Sequence, residues 1–289
     1  MAKKFKGYYL VGNHSAVKLC FWLKKSLKDQ GVCYKQKFYG IKSHRCLQMT
    51  PALICNQNCI YCWRPSLYKK IKKWDPPKLI FEGSLKGQRK LLEGFFGEKN
   101  INQKKLKEAL EPNQVAISLI GEPTLYPYLD KLVKEYKKRG FSVFVVSNGT
   151  NPEVLKKIHP TFLYLSLSSF DKNSHLKINR PQKNFWKRIL KSLEILRKKR
   201  CHTVLRITLI RGMNDKIEKF VPLIEKARPE FIEIKSYMAI GPARKKLGPE
   251  KMFSFKEIEN FSKKLKKLIP YKIKNSSKES LVVVLERNN

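Results

Sequence analysis

Acidic residues are scarce in this chain: 23 Asp and Glu stand against 62 Lys and Arg, a formal net charge of +39 over 289 residues. Such an excess repels itself in a compact state unless something anionic binds it. Nucleic acid is the expected partner, although charge does not separate DNA from RNA. Lysine pairs such as Lys263-Lys264 and Lys266-Lys267 also read as the solvated face of a helix. Long apolar runs are missing too. No segment approaches the ~20 residues of a membrane span, and the opening MAKKFKGYYLVGNH has no apolar stretch of the signal-peptide kind. A cytoplasmic protein is expected. Neither an internal repeat nor a low-complexity linker divides the chain, and its length fits one large α/β domain.

Seven cysteines stand against this background. In a cytoplasmic chain they read as ligands or free thiols sooner than as disulfides. Three of them, Cys55, Cys59 and Cys62, lie in CNQNCIYC with the spacing CxxxCxxC. A cubane cluster of four irons is usually held by four thiolates, so a local set of three leaves one iron open to a small-molecule ligand. A zinc knuckle needs paired CxxC or Cys/His spacings, and no partner pair follows here; buried free thiols are the other plain reading. The spacing, with Tyr61 directly before the third cysteine, resembles the signature of the radical S-adenosylmethionine (SAM) superfamily, in which that aromatic side chain approaches the adenine of SAM. The apolar MTPALI ahead of the motif predicts a strand, with the cysteines in the loop after it.

Before the motif, His14 to Asp29 reads as an amphipathic helix carrying Cys20, with Gly31 as its stop. Cys20, Cys33 and Cys46 are separated by two gaps of twelve residues. Scattered cysteines often serve as small buried hydrophobes; beside a radical SAM motif they are also candidates to hold a second cluster with an open iron. Lys35 and Lys37 then fall close to it. A lysine that is partly desolvated near other cations has a lowered pKa, and its neutral amine forms a Schiff base with a carbonyl substrate; a solvated lysine is the plain alternative. After the motif, WRPSLYKKIKKWDPP mixes Trp63, Tyr68 and Trp74 with Arg64, Lys69, Lys70, Lys72 and Lys73. Rings for stacking and cations for phosphates suit RNA, and an ordinary surface loop reads equally well.

Alternating units follow. KLIFEGSLKGQRKLLEGFF predicts a helix weakened by Gly83, Gly87 and Gly94. VAISLI is a buried-type strand ending in GEPT, with a helix to Arg139; FSVFVVSNG, FLYLSLSSF, VLRITLI and FIEIKSYM are further strands. Helices are expected at PEVLKKI, from Asn184 to Lys199, from Lys216 to Ala227 and at SFKEIENFSKKLKKLI, and SLVVVLER is a final edge strand. This alternation implies a parallel sheet covered by helices. Six strands, counted from the one before Cys55, fall short of the eight of a closed barrel. The expected fold is an α/β partial (β/α)6 TIM-like barrel of the radical SAM type over 44–289, with an N-terminal iron-sulfur extension over 1–43. Ligands in such sheets bind beyond the carboxyl ends of the strands, where Cys55, Glu122, Ser147, Asn148, Ser168, Arg206, Thr208 and Lys235 fall. For Glu122 or Asn148 alone, a turn residue or helix cap is the plain reading.

HSAVKLC, CYKQKFYGI, HRC with CNQNCIYCW, EALEPNQVAISLIGEPTLYPYLD, FVVSNG, TLIRGMND and IEIKSYM together resemble the tRNA 4-demethylwyosine synthases, radical SAM enzymes of wybutosine biosynthesis. The likeness runs from about Asn13 to Gly241. It implies a carbon-carbon lyase of the oxo-acid type that condenses N1-methylguanosine, next to the anticodon of tRNA-Phe, with pyruvate. It also implies SAM and two 4Fe-4S clusters, one on Cys55, Cys59 and Cys62 and one on Cys20, Cys33 and Cys46. Lys35 matches the family's Schiff-base lysine, with Lys37 in reserve. Tyr61, Gly121, Glu122, Thr124, Ser147, Asn148, Ser168, Arg206 and Thr208 match the SAM-binding segments. Contacts to tRNA fall to Arg64, Lys69, Lys70, Lys72, Lys73 and Lys235. Where relatives read SLD, this chain has Ser166-Leu167-Ser168, which removes a carboxylate. No flavodoxin-like domain precedes the core, so an external one-electron donor of flavodoxin or ferredoxin type is expected. Competing readings are a tRNA methylthiotransferase and a non-catalytic iron-sulfur protein that binds RNA.

Overall fold

The computed structural model describes residues 6–64 and 70–288, so Lys69 lies outside the described residues. The described chain divides into two compact units, one drawn from 1–55, 66–146 and 158–161, the other from 56–65, 147–157 and 162–289.

The first unit opens with β1 (Tyr9–Val11) and β2 (Ser15–Val17), an antiparallel pair. Short helices α1 (Phe21–Leu27) and α2 (Tyr34–Tyr39) precede β3 (Cys46–Thr50). The expected helix from His14 is therefore shorter. Its first residues form a strand that pairs with both β1 and β3, and Ser15, Ala16 and Val17 are all buried between those partners. The strand before the CxxxCxxC motif lies earlier in the chain than MTPALI suggests: it begins at Cys46 and ends at Thr50, because Pro51 has no backbone N–H to extend the ladder.

Next come α3 (Pro77–Leu92), α4 (Gln103–Ala109), β4 (Gln114–Ile117), α5 (Leu129–Lys138) and β5 (Ser142–Ser147). Strands β3, β4 and β5 run parallel in that order. The two interior glycines of α3 have a packing purpose. A Cβ on Gly83 would lie 2.5 Å from Val11 Cγ1, and one on Gly87 would lie 2.5 Å from Tyr9 Cδ1, so the bare helix face lets β1 approach. A separate apolar cluster of Leu19, Leu23, Leu27, Leu92, Ile101, Leu106 and Ala109 seats α1 against α4 and the end of α3.

The second unit contains α6 (Pro152–Lys157), β6 (Phe162–Ser166), α7 (Lys172–Asn179), α8 (Trp186–Arg197), β7 (His202–Leu209), α9 (Val221–Ala227) and β8 (Phe231–Ser236). It ends with α10 (Pro242–Leu247), α11 (Phe255–Leu265), β9 (Tyr271–Ser277) and β10 (Val282–Arg287). β6, β7 and β8 are parallel neighbours, and β10 pairs antiparallel with β8 on one side and β9 on the other. Among the described residues each unit thus carries three parallel strands, the six expected in total. SLVVVLER is not the outermost strand, since β9 covers it. No described helix is long and apolar enough to cross a membrane.

Candidate iron-sulfur and SAM site

In the first unit, Cys20 and Cys33 each sit in extended conformation immediately ahead of a helix, α1 and α2, while Cys46 begins β3. The turn between α2 and β3 is pinned by Ser43, whose Oγ accepts the Cys33 N–H at 2.8 Å and donates to Gln36 Oε1 at 2.8 Å. Burial pushes the Cys46 thiol well up; Cys20 and Cys33 add to that shift and Lys35 opposes it, so all four side chains share one neighbourhood. Lys35 is 8% exposed, with its Nζ 4.5 Å from the centre of the Phe144 ring on β5. Lys37 points to solvent. The structure therefore separates the two lysines that the sequence leaves together.

Cys55 ends the first unit's opening segment, and the backbone before it is locked to the loop after β4. Glu122 N–H donates to the Ile54 carbonyl at 2.8 Å, and Thr50 Oγ1 donates to the Ile120 carbonyl at 2.7 Å. Gly121 makes this possible. Its φ is +75°, and a Cβ there would run into the Ala52 and Ile54 carbonyls. Glu122 is buried, and its Oε1 accepts both the amide and the hydroxyl of Thr124, at 3.1 and 2.6 Å. A second buried network supports the same loops. His14 Nδ1 donates to the Pro51 carbonyl at 2.7 Å, its Nε2 accepts the Asp75 N–H at 2.7 Å, and Tyr126 donates to the Asp75 carbonyl at 2.7 Å. Lys70, Lys72 and Lys73 are exposed in this unit.

In the second unit, Cys59 and Cys62 are joined by a turn in which Cys62 N–H donates to the Cys59 carbonyl at 3.2 Å. The loop is strapped to the end of α7: Asn58 N–H bonds the Asn179 and Arg180 carbonyls, and Ile60 N–H bonds that of Ile178. Asn179 Nδ2 also reaches Gln57 Oε1 at 3.3 Å and Cys59 Sγ at 3.5 Å. Tyr61 accepts a hydrogen bond from Ser168 Oγ at 2.8 Å, and burial holds its phenol well above the usual range. Asn148 Nδ2 donates to Asn56 Oδ1 at 2.9 Å and Asn56 Nδ2 to Thr150 Oγ1 at 2.7 Å, while Ser147 Oγ accepts the Gly149 N–H.

On neighbouring rungs of β7 and β8, Arg206 faces Glu233 and Thr208 faces Lys235. Glu233 is fully buried; it accepts from Arg206 Nε at 2.8 Å and from the Tyr164 hydroxyl at 3.0 Å. Lys235 Nζ donates to the Ser280 carbonyl. Asn214 Nδ2 ties the ends of β6 and β7 together by donating to the Ser168 and Thr208 carbonyls, each at 2.8 Å. Arg64 lies 4.7 Å over the Trp63 ring. Asn56, Asn179, Asn214 and Glu233 escape the sequence reading. Only Asn56 carries a signal there, as one of the polar residues inside CNQNC.

The cysteines fit an iron-sulfur cluster better than a single metal ion. The donors at the motif are three thiols at the CxxxCxxC spacing, and a cubane binds each thiolate on a different iron. Burial pushes the Cys59 thiol up to about 12 and raises that of Cys62. Each stays a neutral thiol until a metal centre displaces its proton, as metal coordination of a thiol does.

Comparison with known proteins is consistent with this geometry. Residues 49–224 match the family model of the radical SAM superfamily, and 226–287 match that of wyosine base formation. The SAM-dependent tRNA 4-demethylwyosine synthase of Methanocaldococcus jannaschii is 46% identical over 98% of this chain and 94% of its own length. The enzyme of the same name from Pyrococcus abyssi is 47% identical over 98% of this chain and 86% of its own. A solved structure of TYW1 with a lysine-pyruvate adduct bound superposes with a TM-score of 0.92 at 46% identity, covering 99% of this chain and 94% of that one.

Proposed function

Because the chain belongs to the radical SAM tRNA 4-demethylwyosine synthases and has their α/β partial-barrel fold, we propose that it condenses N1-methylguanosine of tRNA-Phe with pyruvate through the residues described above. It is an enzyme that uses SAM and a 4Fe-4S cluster and acts on tRNA. The finer reading is a carbon-carbon lyase in which two pyruvate carbons enter the third ring and the carboxyl carbon leaves. When bound, the cluster and SAM supply a 5'-deoxyadenosyl radical, because a methyl C–H yields to neither acid nor base.

Cys55, Cys59 and Cys62 hold that cluster, and Tyr61, Gly121, Glu122, Thr124, Ser147, Asn148, Ser168, Arg206 and Thr208 form the SAM site. Cys20, Cys33 and Cys46 hold a second cluster, for which the extension 1–43 supplies two of the three ligands. Lys35 attacks the pyruvate keto carbon as a neutral amine, the keto oxygen leaves as water, and the resulting imine fixes the substrate's orientation. Arg64, Lys70, Lys72, Lys73 and Lys235 are assigned to tRNA, together with Lys69 outside the described residues. A flavodoxin- or ferredoxin-type donor supplies the electron, and the location is cytoplasmic.

The observation that supports this reading most is the burial of Lys35 in the neighbourhood of Cys20, Cys33 and Cys46. The test is an anaerobic reaction of cluster-loaded protein with SAM, dithionite, isotopically labelled pyruvate and tRNA-Phe carrying N1-methylguanosine. Nucleoside mass spectrometry should find two labelled carbons in the base. Formation of 5'-deoxyadenosine without label in tRNA would sink the pyruvate reading.

A further inference from the structure

The loop that carries Cys59 and Cys62 continues into Trp63 and Arg64, and the second unit backs this segment with α10. Gly241, directly ahead of α10, has φ +54°, and a Cβ there would lie 2.6 Å from the Trp63 carbonyl oxygen. Only glycine lets the two backbones meet so closely. The inner side of α10 is apolar: Ala243 and Leu247 pack with Ile60, Ile178, Ile210 and Tyr237. At its end Lys246 Nζ donates to Asn58 Oδ1 at 3.3 Å. The helix is thus fixed to the cysteine loop, and its other side presents Arg244 and Lys245 to solvent. Among the described residues neither makes a salt bridge; the same holds for the exposed Lys263 and Lys264 on α11, so what distinguishes Arg244 and Lys245 is the attachment of their helix to the cysteine loop. Trp63 is 47% exposed and has the Arg64 guanidinium stacked on it.

We infer that Trp63, Arg64 and the outer face of α10 form the docking surface for the single-stranded loop of the tRNA substrate, with a base on Trp63 and phosphates on Arg244 and Lys245. The inference rests on the tRNA reading above and adds α10 to it. A base processed at the cysteine loop must leave its stack, so the nucleotides flanking it cross whatever surface borders that loop. Here that surface combines an exposed ring, a stacked arginine and two cations on a rigid helix. An aromatic platform beside cations is the chemistry that binds unpaired nucleotides. An acidic electron donor would use the cations but has no need of an exposed indole.

The test uses the cluster-loaded protein under anaerobic conditions and measures the Kd for tRNA-Phe carrying N1-methylguanosine across a salt series, with iron content read in parallel. Arg244→Glu/Lys245→Glu should weaken binding at least about tenfold and lower the salt slope by about two. Lys263→Glu/Lys264→Glu on α11, with the same charge change, should stay within about threefold of the parent. Trp63→Ala should weaken binding without changing the salt slope, and Trp63→Phe should restore most of it. Equal losses in the two charge-reversed pairs, or tRNA binding unchanged while reduction by a flavodoxin-type donor slows, overturns the assignment. If the parent protein converts the tRNA and the α10 variant binds it equally well, only the docking surface fails. If the parent neither binds nor converts it, the function reading fails as well.

Discussion

Ser168 Oγ donates a 2.8 Å hydrogen bond to the hydroxyl of Tyr61, linking the end of the β6 segment to the aromatic side chain ahead of Cys62. Ser168 is itself buried and held from behind, since Asn214 grips its carbonyl. Ser168→Ala leaves a buried phenol without that donor, at about 1 kcal/mol. Isothermal titration should show SAM binding weakened by about fivefold with iron content unchanged. Equal SAM affinity in the variant and the parent would mean that the Tyr61 ring is placed by packing alone.

Lys35 and Lys37 separate cleanly. Lys35→Ala should lose borohydride trapping of pyruvate and at least about a thousandfold in product formation, while the exposed Lys37→Ala stays within about threefold. Peptide mass spectrometry after trapping reads the site directly. A pyruvate adduct on Lys37 would reverse the assignment.

Glu233 is fully buried and holds both Arg206 and Tyr164. Removing one partner of a buried pair leaves the other uncompensated, so Glu233→Ala should cost about 3 kcal/mol in denaturant unfolding. The Arg206→Ala/Glu233→Ala double variant should cost less than the two single changes summed. Simple additivity would show that the pair is not coupled.

His14 gives a pH dependence with a defined sign. Its Nε2 accepts the Asp75 N–H, so the ring is neutral. Burial lowers its pKa below 6.5, with the Pro51 carbonyl and the Asp75 charge opposing that shift without reversing it. Between the folded and unfolded values the unfolded chain binds more protons, so stability is full above about pH 6.5 and declines below it. Thermal melts of the parent and of His14→Gln should converge as the pH falls from 7 to 5. Parallel curves would contradict the neutral ring.

Gly121→Ala forces a Cβ into the Ala52 and Ile54 carbonyls at a positive φ. A loss of at least about 2 kcal/mol is expected, together with impaired SAM binding through the displaced Glu122. A melt unchanged from the parent would show that the loop can yield.

Much of this architecture can be read in the chain because it is periodic or repetitive. The apolar runs of β6, β7 and β8 announce buried parallel strands, and CxxxCxxC announces the radical SAM family that the comparisons show. The cysteines at 20, 33 and 46 carry only a weak local signal, two equal gaps beside the motif, and the fold adds what the spacing lacks by bringing them near Lys35. Helix α7 escapes because its sequence, KNSHLKIN, has little amphipathic pattern and is started by the Asp171-Ser174 capping box. β9 escapes because its largely polar YKIKNSS is an edge strand held by β10 alone. Asn179, Asn214 and Glu233 act through backbone groups or partners tens of residues away in sequence, a relation that no local pattern encodes.

The strand β3 has one further consequence. It begins at Cys46, and the chain beyond its end is clamped by Thr50, Gly121 and Glu122 until it reaches Cys55. A strand is nearly inextensible: its four steps from Cys46 to Thr50 set about 13 Å at ~3.3 Å per residue. Cys46 therefore sits at one end of a fixed span whose other end, Thr50, leads into the clamped segment ahead of Cys55. Lengthening β3 by two residues would shift Cys46 by about 7 Å relative to the clamped segment that follows Thr50.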